Sequence, residues 1–407
     1  MSLHVDTLEP LPLPEPPRRR LAPREWVREN LFSSAVNSMI TVVFGLLLAW
    51  AVYRLARFVF VDARWEIIEQ NITNLLVFRY PRDELWRLWA ALFILGGSLG
   101  LAAGIASRGA VATDRTLALR RAGPMLVLVG VLLVFAGSLT ATLLVVAIAA
   151  VAIVARLAGR RIRLKQTWAV GIALGGLLAA YLVVAHFGGV GWQDWGGLHL
   201  TIFLAVGGIV LSFPLGVLLA LGRRSSLPAV RWVCIAYIEV IRGVPLITIL
   251  FMGAFMLGFF LPEGVDTPSG VTRALIALTI FTSAYVAEIV RGGLQSVPRG
   301  QVEAAQSLGL STLKTTRLIV LPQALRAVIP ATVGQFISLF KDTSLVFIIG
   351  LTELLAVAES ITKQPDFLAQ GLLVETLFFA AFVYWAGSYW MSRESQRLER
   401  RLGVGER

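Results

Sequence analysis

The sequence predicts an all-α protein: a multi-spanning bundle of about ten transmembrane helices. Three observations lead there. Hydrophobic residues fill 57% of the 407 positions and charged residues only 15%, where a soluble domain carries about 25% charged. The apolar positions gather in runs of about 20, the length that crosses a bilayer. Basic residues concentrate between those runs, so the net charge of +12 reads as basic loops beside a membrane rather than a nucleic-acid surface. The apolar excess is expected to face lipid.

Along the chain, residues 1–33 open with Pro10, Pro12, Pro14, Pro16 and Pro17, then Arg18, Arg19 and Arg20. No short apolar core with a cleavage site follows directly, so this segment reads as a Pro/Arg-rich tail and not a secretory signal. The first span is 34–53 and the second 86–106. The apolar run 124–154 is too long for one crossing and is split near Gly137 and Ser138 into a hairpin. The remaining spans are 168–187, 198–221, 233–261, 274–290, 327–350 and 371–391. Segment 34–190 keeps its charge in loops and reads as supporting helices. Segment 191–395 carries charge within its spans and one organised loop. Residues 396–407 form a basic tail.

With the N-terminus inside, the inside segments hold 27 Lys and Arg and the outside segments 8. That asymmetry places both termini in the cytoplasm and requires an even number of spans. One cysteine, Cys234, and three scattered histidines offer neither a disulfide framework nor a metal cluster, and no cofactor is expected. No phosphate loop, GxSxG turn or HExxH pair is present, so neither an ATPase nor an intramembrane enzyme is expected.

The segment 300–322 reads GQVEAAQSLGLSTLKTTRLIVLP. It predicts a short helix, a turn at Gly309 that needs no Cβ, and a second helix start with Leu313, Leu318 and Ile319 on an apolar face. Glu303 near the first turn suits the helix dipole, and small Ala304 and Ala305 let another surface approach. A structured basic amphipathic helix in a cytoplasmic loop is a docking element or a membrane-surface helix.

The spacing of Glu303, Ala304, Ala305, Gly309, Ile319, Leu321 and Pro322 resembles, without departure, the EAA loop of permeases from bacterial binding-protein-dependent ABC importers. The segments YIEVIRGVPLITILFM from Tyr237, AYVAEIVRGGLQSVPRGQ from Ala284, LPQALRAVIP from Leu321 and LFKDTSLV from Leu339 resemble the polar amino-acid group, for histidine, glutamine, arginine and opines. The RGVPLIT form and the extra N-terminal spans resemble the M-type permease of general L-amino-acid systems. The specific resemblance covers about 190–403. It implies a type I ABC importer permease core in a bacterial plasma membrane. It also implies a dimer of ATPase subunits docked at the loop, a paralogous permease in a heterodimer, a periplasmic or tethered substrate-binding protein, and an amino-acid substrate. The other class that fits the hydropathy is an ion-coupled secondary amino-acid transporter, which needs no such loop.

Charged residues inside spans are costly and usually face a cavity or a partner. Lys341 and Asp342 lie in an apolar run, followed by the hydroxyls of Thr343 and Ser344. They match the two ends of a zwitterion, or form a structural anchor between helices. Glu239 and Arg242 are three apart, as are Glu288 and Arg291, and each pair shares a helix face. They read as an inner gate or as interfacial salt bridges. Pro245 is expected to bend or break the helix after Arg242.

Overall fold

The computed structural model describes residues 22–107, 115–186 and 189–403. The Pro/Arg run of the tail, residues 108–114 and 187–188, and the last four residues lie outside these. The described residues are helical throughout, with one isolated parallel bridge between Gly197 and Glu353. The chain forms two compact units, Met1–Arg64 and Trp65–Arg407.

In the first unit, α1 (Pro23–Leu31) begins on a proline, whose missing N–H costs nothing in a first turn. The end of the expected tail is thus helical. The span α2 (Ala35–Arg57) starts at Ser34, whose Oγ accepts from Asn37 N at 3.2 Å. It runs on through one π turn to Asp62 and buries no residue in this unit. A helix apolar on every side and unburied is suited to lipid.

The second unit opens with α3 (Glu66–Val77), a helix the hydropathy did not reveal. Ile67, Ile68, Ile72 and Leu75 recur at helical spacing and are buried, while Glu66, Glu69 and Gln70 remain exposed. α4 (Leu85–Ala106) comes next. α5 (Arg115–Ala136) and α6 (Leu139–Arg161) meet at Gly137, where φ is +56°, and Ser138 Oγ caps α6 by accepting from Ala141 N at 3.2 Å. The break falls where the sequence places it, but the two helices do not form the expected hairpin: α5 packs on α3 and on α16 (Leu373–Leu402), and α6 on α4. α6 and α7 (Trp168–Ala185) pack on α4.

The remaining helices build the charged half. α8 (Gly197–Gly222) packs along α11 (Gly270–Ser296), the most buried long helix. Between them in sequence lie α9 (Pro228–Gly243) and α10 (Leu246–Phe251). α9 and the helical stretch from Leu246 to Phe260 meet at 107°, because Pro245 supplies no N–H to continue α9. α12 (Arg299–Ser307) and α13 (Thr312–Thr315) form the loop before α14 (Leu321–Asp342). α14 passes into a 3₁₀ segment, Thr343–Ile349, and α15 (Leu354–Ser360) and α16 (Leu373–Leu402) complete the chain.

Among the described residues, seven helices are long and apolar enough to cross a membrane, or eight if α9 and its bent continuation make one span. All ten expected spans have a helix in place, but two fall short of that measure. For α5 the described apolar stretch is Met125–Ala136. α16 carries Glu375 together with Tyr384, Tyr389 and two tryptophans, whose polar edges lower its hydropathy.

Without a hydrophobic drive between helices in lipid, close packing and polar links hold such a bundle. Both are visible where α3 docks. Its apolar face packs on Leu354, Val357, Ile361 and Phe379 of α15, α16 and their connection. Gln364 Nε2 donates to Asn71 Oδ1 at 2.9 Å. Gly197 has φ +58°, and a Cβ there would lie 2.5 Å from Leu75 O, so only glycine permits this approach of α3 to α8.

Candidate functional site

The 300–322 loop is a helix, a turn and a helix. At the end of α12, Leu310 N donates to Ala305 O at 3.1 Å and Gly309 N to Gln306 O at 2.9 Å. This double bond pattern is a Schellman cap, with Gly309 at φ +79° in its left-handed position. Nothing lies within 4 Å of where a Gly309 Cβ would be, so the turn stands open. Three details depart from the sequence reading. Glu303 is the fifth residue of α12 rather than part of its first turn. Ala305 is buried, leaving Ala304 on the exposed side with Glu303. Leu313 and Leu318, with Leu308, face outward at 77%, 59% and 83% exposure. The loop therefore presents leucines to whatever covers it. Pro322 sits in the first turn of α14, where its missing N–H is harmless, and Leu321 and Ile319 are half-buried.

The second group joins α8, α9 and α11. Glu288 is its hub. Arg291 Nε donates to both Glu288 oxygens at 3.0 and 2.9 Å, and its Nη2 also meets Oε1. Arg242 Nη1 lies 3.5 Å and Arg223 Nη1 3.6 Å from Glu288 Oε2. Arg223 Nη1 also donates to Glu239 Oε1 at 2.9 Å. The Glu288–Arg291 pair forms as its spacing suggests. Glu239 and Arg242 do not pair with each other, because α9 lies between two helices that offer better partners. Arg242 also stacks over the Tyr285 ring, 5.6 Å from its centroid. Tyr237 Oη contacts Ser283 Oγ at 2.9 Å and donates to Ile280 O at 3.0 Å, tying α9 to α11 one layer further in. Three positive charges against two negative leave the cluster cationic. Arg223 was missed from sequence, where it counted only as a loop charge.

The third group ends α14. Lys341 is exposed and Asp342 half-buried, and neither forms an ion pair among the described residues. Glu288 and Arg242, the partners considered for them within the chain, are committed to one another. Thr343 is fully buried and its hydroxyl donates to Phe340 O at 2.7 Å; Ser344 is half-buried. Close behind lies a residue sequence reasoning overlooked. Glu353 is fully buried and caps α15, accepting from Leu355 N and Ala356 N, each at 2.8 Å. An acidic residue directly before the apolar run Leu354–Ala358 was the cap signal that could have found it.

A lipid-suited helix bundle with an exposed, capped helix-turn-helix and charges between its spans defines a multi-pass membrane transport subunit. The chain belongs to the family of binding-protein-dependent transport system inner membrane components, whose model matches residues 212–404. It is 38% identical over 398 residues to the inner membrane amino-acid ABC transporter permease protein YhdY of Escherichia coli K12, covering 93% of each chain. It is 32% identical to the glutamate/glutamine/aspartate/asparagine transport system permease protein BztC of Rhodobacter capsulatus, covering 98% of each. The probable glutamine ABC transporter permease protein GlnP of Bacillus subtilis is 42% identical, but its match takes in 50% of this chain and 91% of that one. The N-terminal half is thus shared with some relatives and lacking from others.

Proposed function

We propose that the chain forms half of the membrane pore of an ATP-driven importer of polar L-amino acids in a bacterial inner membrane. The carrying observation is the 300–322 loop. It has every position of the EAA pattern, is built on an open Schellman turn, and exposes Leu308, Leu313 and Leu318. The names of the relatives support an amino-acid substrate. In this reading Glu303, Ala304, Ala305, Gly309, Leu321 and Pro322 shape the surface that meets a dimer of ATPase subunits. A substrate-binding protein, periplasmic or tethered, delivers the amino acid from outside. A paralogous permease supplies the other half of the pore as a heterodimer.

The 27-to-8 split of basic residues supports a cytoplasmic position for both termini and for the loop. Residues 191–395 act as the permease core and 34–190 as supporting helices. Lys341, Asp342 and Ser344, with buried Thr343 behind them, line the path at the permease interface, where Lys341 and Asp342 find the partners they lack among the described residues. Glu239, Arg242 and Glu288 form the inner gate. Purification of the assembled complex, followed by mass spectrometry, tests the composition. The expected result is this chain with a second permease, two ATPase copies and a binding protein; recovery of this chain alone, active in uptake, would contradict it.

A further inference from the structure

Glu353 has no part in the mechanism above, yet among the described residues it is the most enclosed carboxyl, at 0% exposure. Among the described residues no cation forms an ion pair with it; donors hold it instead. Leu355 N–H and Ala356 N–H come from its own helix, and Tyr384 on α16 donates its hydroxyl to Oε2 at 2.8 Å. On α8, Thr201 Oγ1 accepts from Leu354 N at 3.2 Å and donates to Gly197 O at 3.2 Å. Gly197 N in turn donates to Thr352 O at 2.8 Å. The Tyr384 ring packs on Phe340 of α14, with centroids 5.3 Å apart, and its hydroxyl points toward the hydroxyls of Thr343 and Thr201. Contacts thus run from Glu353 through the Tyr384 hydroxyl and ring to Phe340, whose carbonyl accepts from the Thr343 hydroxyl. They end on the last turn of α14, beside Lys341 and Asp342.

We propose that Glu353 is a positioning residue for transport: through Tyr384 and Thr343 it sets the end of α14 that carries Lys341, Asp342 and Ser344, and its protonation loosens that hold. The inference rests on the reading that these residues line the path. An ionised carboxylate offers acceptors only, which suits three surrounding donors. When a proton from solvent binds Oε2, that oxygen becomes a donor facing donors. The one neighbour able to accept is Tyr384 Oη, whose own proton must then turn to the Thr201 or Thr343 oxygen. One proton is taken up and none is released, and the Glu353–Tyr384 bond reverses direction. Burial pushes the Glu353 carboxyl up to about 7, against the lowering effect of its three hydrogen bonds and with a small upward push from Glu359. Both forms are therefore populated near neutral pH. The titratable groups around it are Tyr384 from α16 and Glu359 from α15. α8 and the 343–349 segment bring the hydroxyls of Thr201 and Thr343, and α3 keeps Glu66 and Glu69 exposed.

The test uses the full complex in proteoliposomes and whichever of radiolabelled L-glutamine, L-glutamate, L-histidine or L-arginine it transports best. Half-saturating concentration and maximal rate are measured per assembled complex across neutral pH. The expected wild-type result is a fall in transport on acidification, with a midpoint near 7. Glu353→Gln should remove that step. Tyr384→Phe should move the midpoint to higher pH, since it deletes a bond that favours the carboxylate. It also leaves the α15 cap intact, so it decides the question if Glu353→Gln does not assemble. A midpoint unchanged from wild type in the variants that assemble overturns the proposal. Unaltered transport in Lys341→Met and Asp342→Asn would instead overturn the path reading, and is read separately from the pH profile.

Discussion

Arg242 on α9 reaches Glu288 on α11, 3.5 Å away, and leaves Glu239, one turn earlier on its own helix, to Arg223 of α8 at 2.9 Å. The exchange matters because it replaces the local Glu239–Arg242 pair with ion pairs that clasp three helices, while Glu288–Arg291 stays local. α9 is then held from both sides just before the chain bends at Pro245. A shift of α9 during transport has to break contacts on α8 and α11 together.

This geometry ranks the two glutamates. Glu288 meets three arginines and its side chain is 23% exposed, whereas Glu239 meets one and is 55% exposed. Exposed pairs contribute little, about 0–1 kcal/mol, and a partly buried hub leaves several donors unmatched when removed. Glu288→Gln is expected to lower the thermal unfolding temperature of the purified protein clearly more than Glu239→Gln. Equal shifts would contradict the hub.

Gly309 stands in open space with φ +79°. Asp tolerates this backbone region better than a β-branched residue, so Gly309→Asp should fold while placing a charge on the docking face. Uptake is expected to fall by most of its value at a normal membrane level of the subunit, as read by uptake and immunoblot. Normal uptake with normal co-purification of the ATPase would refute the coupling role. Gly309→Val should in addition lower the amount of folded protein.

Lys341 and Asp342 have no ion-pair partner among the described residues. If they line the path, Lys341→Met and Asp342→Asn should assemble at normal levels while transport per complex falls. If they anchor helices instead, the amount of complex falls and transport per complex holds. Uptake normalised to assembled complex separates the two.

Glu353 also makes stability depend on pH. Its folded-state value is raised from 4.5 to about 7, so the folded form binds the proton more tightly than the unfolded chain. The stabilisation is fully present below about 4.5 and is lost as pH rises through about 7. At 1.36 kcal/mol per unit it amounts to about 3 kcal/mol at most. Thermal stability of the purified protein should therefore decline across this window, and Glu353→Gln should flatten the decline. An identical decline in the variant would place its cause elsewhere.

Much of this architecture was legible from the residues. The break at Gly137, the bend at Pro245 and the turn at Gly309 each follow from one residue's backbone chemistry, which needs no tertiary information. The Arg223–Glu239 pair did not show, because it joins residues 16 apart on different helices. Nor did the 353–384 bond, which spans two elements. α3 escaped because hydropathy windows look for crossings, and a half-exposed 12-residue helix averages out between two spans. Ala305 and the outward leucines were misplaced for a related reason. Helical periodicity names a face without saying whether that face meets the protein or its partner.

In the proposed function this chain conducts amino acids under ATP-driven control through the 300–322 loop. The most direct measurement is uptake into proteoliposomes holding the complete complex, with ATP supplied on the loop side, binding protein on the other, and ion gradients collapsed by ionophores. The expected result is amino-acid accumulation that requires both ATP and the binding protein and persists without any ion gradient. Accumulation driven by a proton or sodium gradient, with no ATP and no ATPase subunit present, would contradict it.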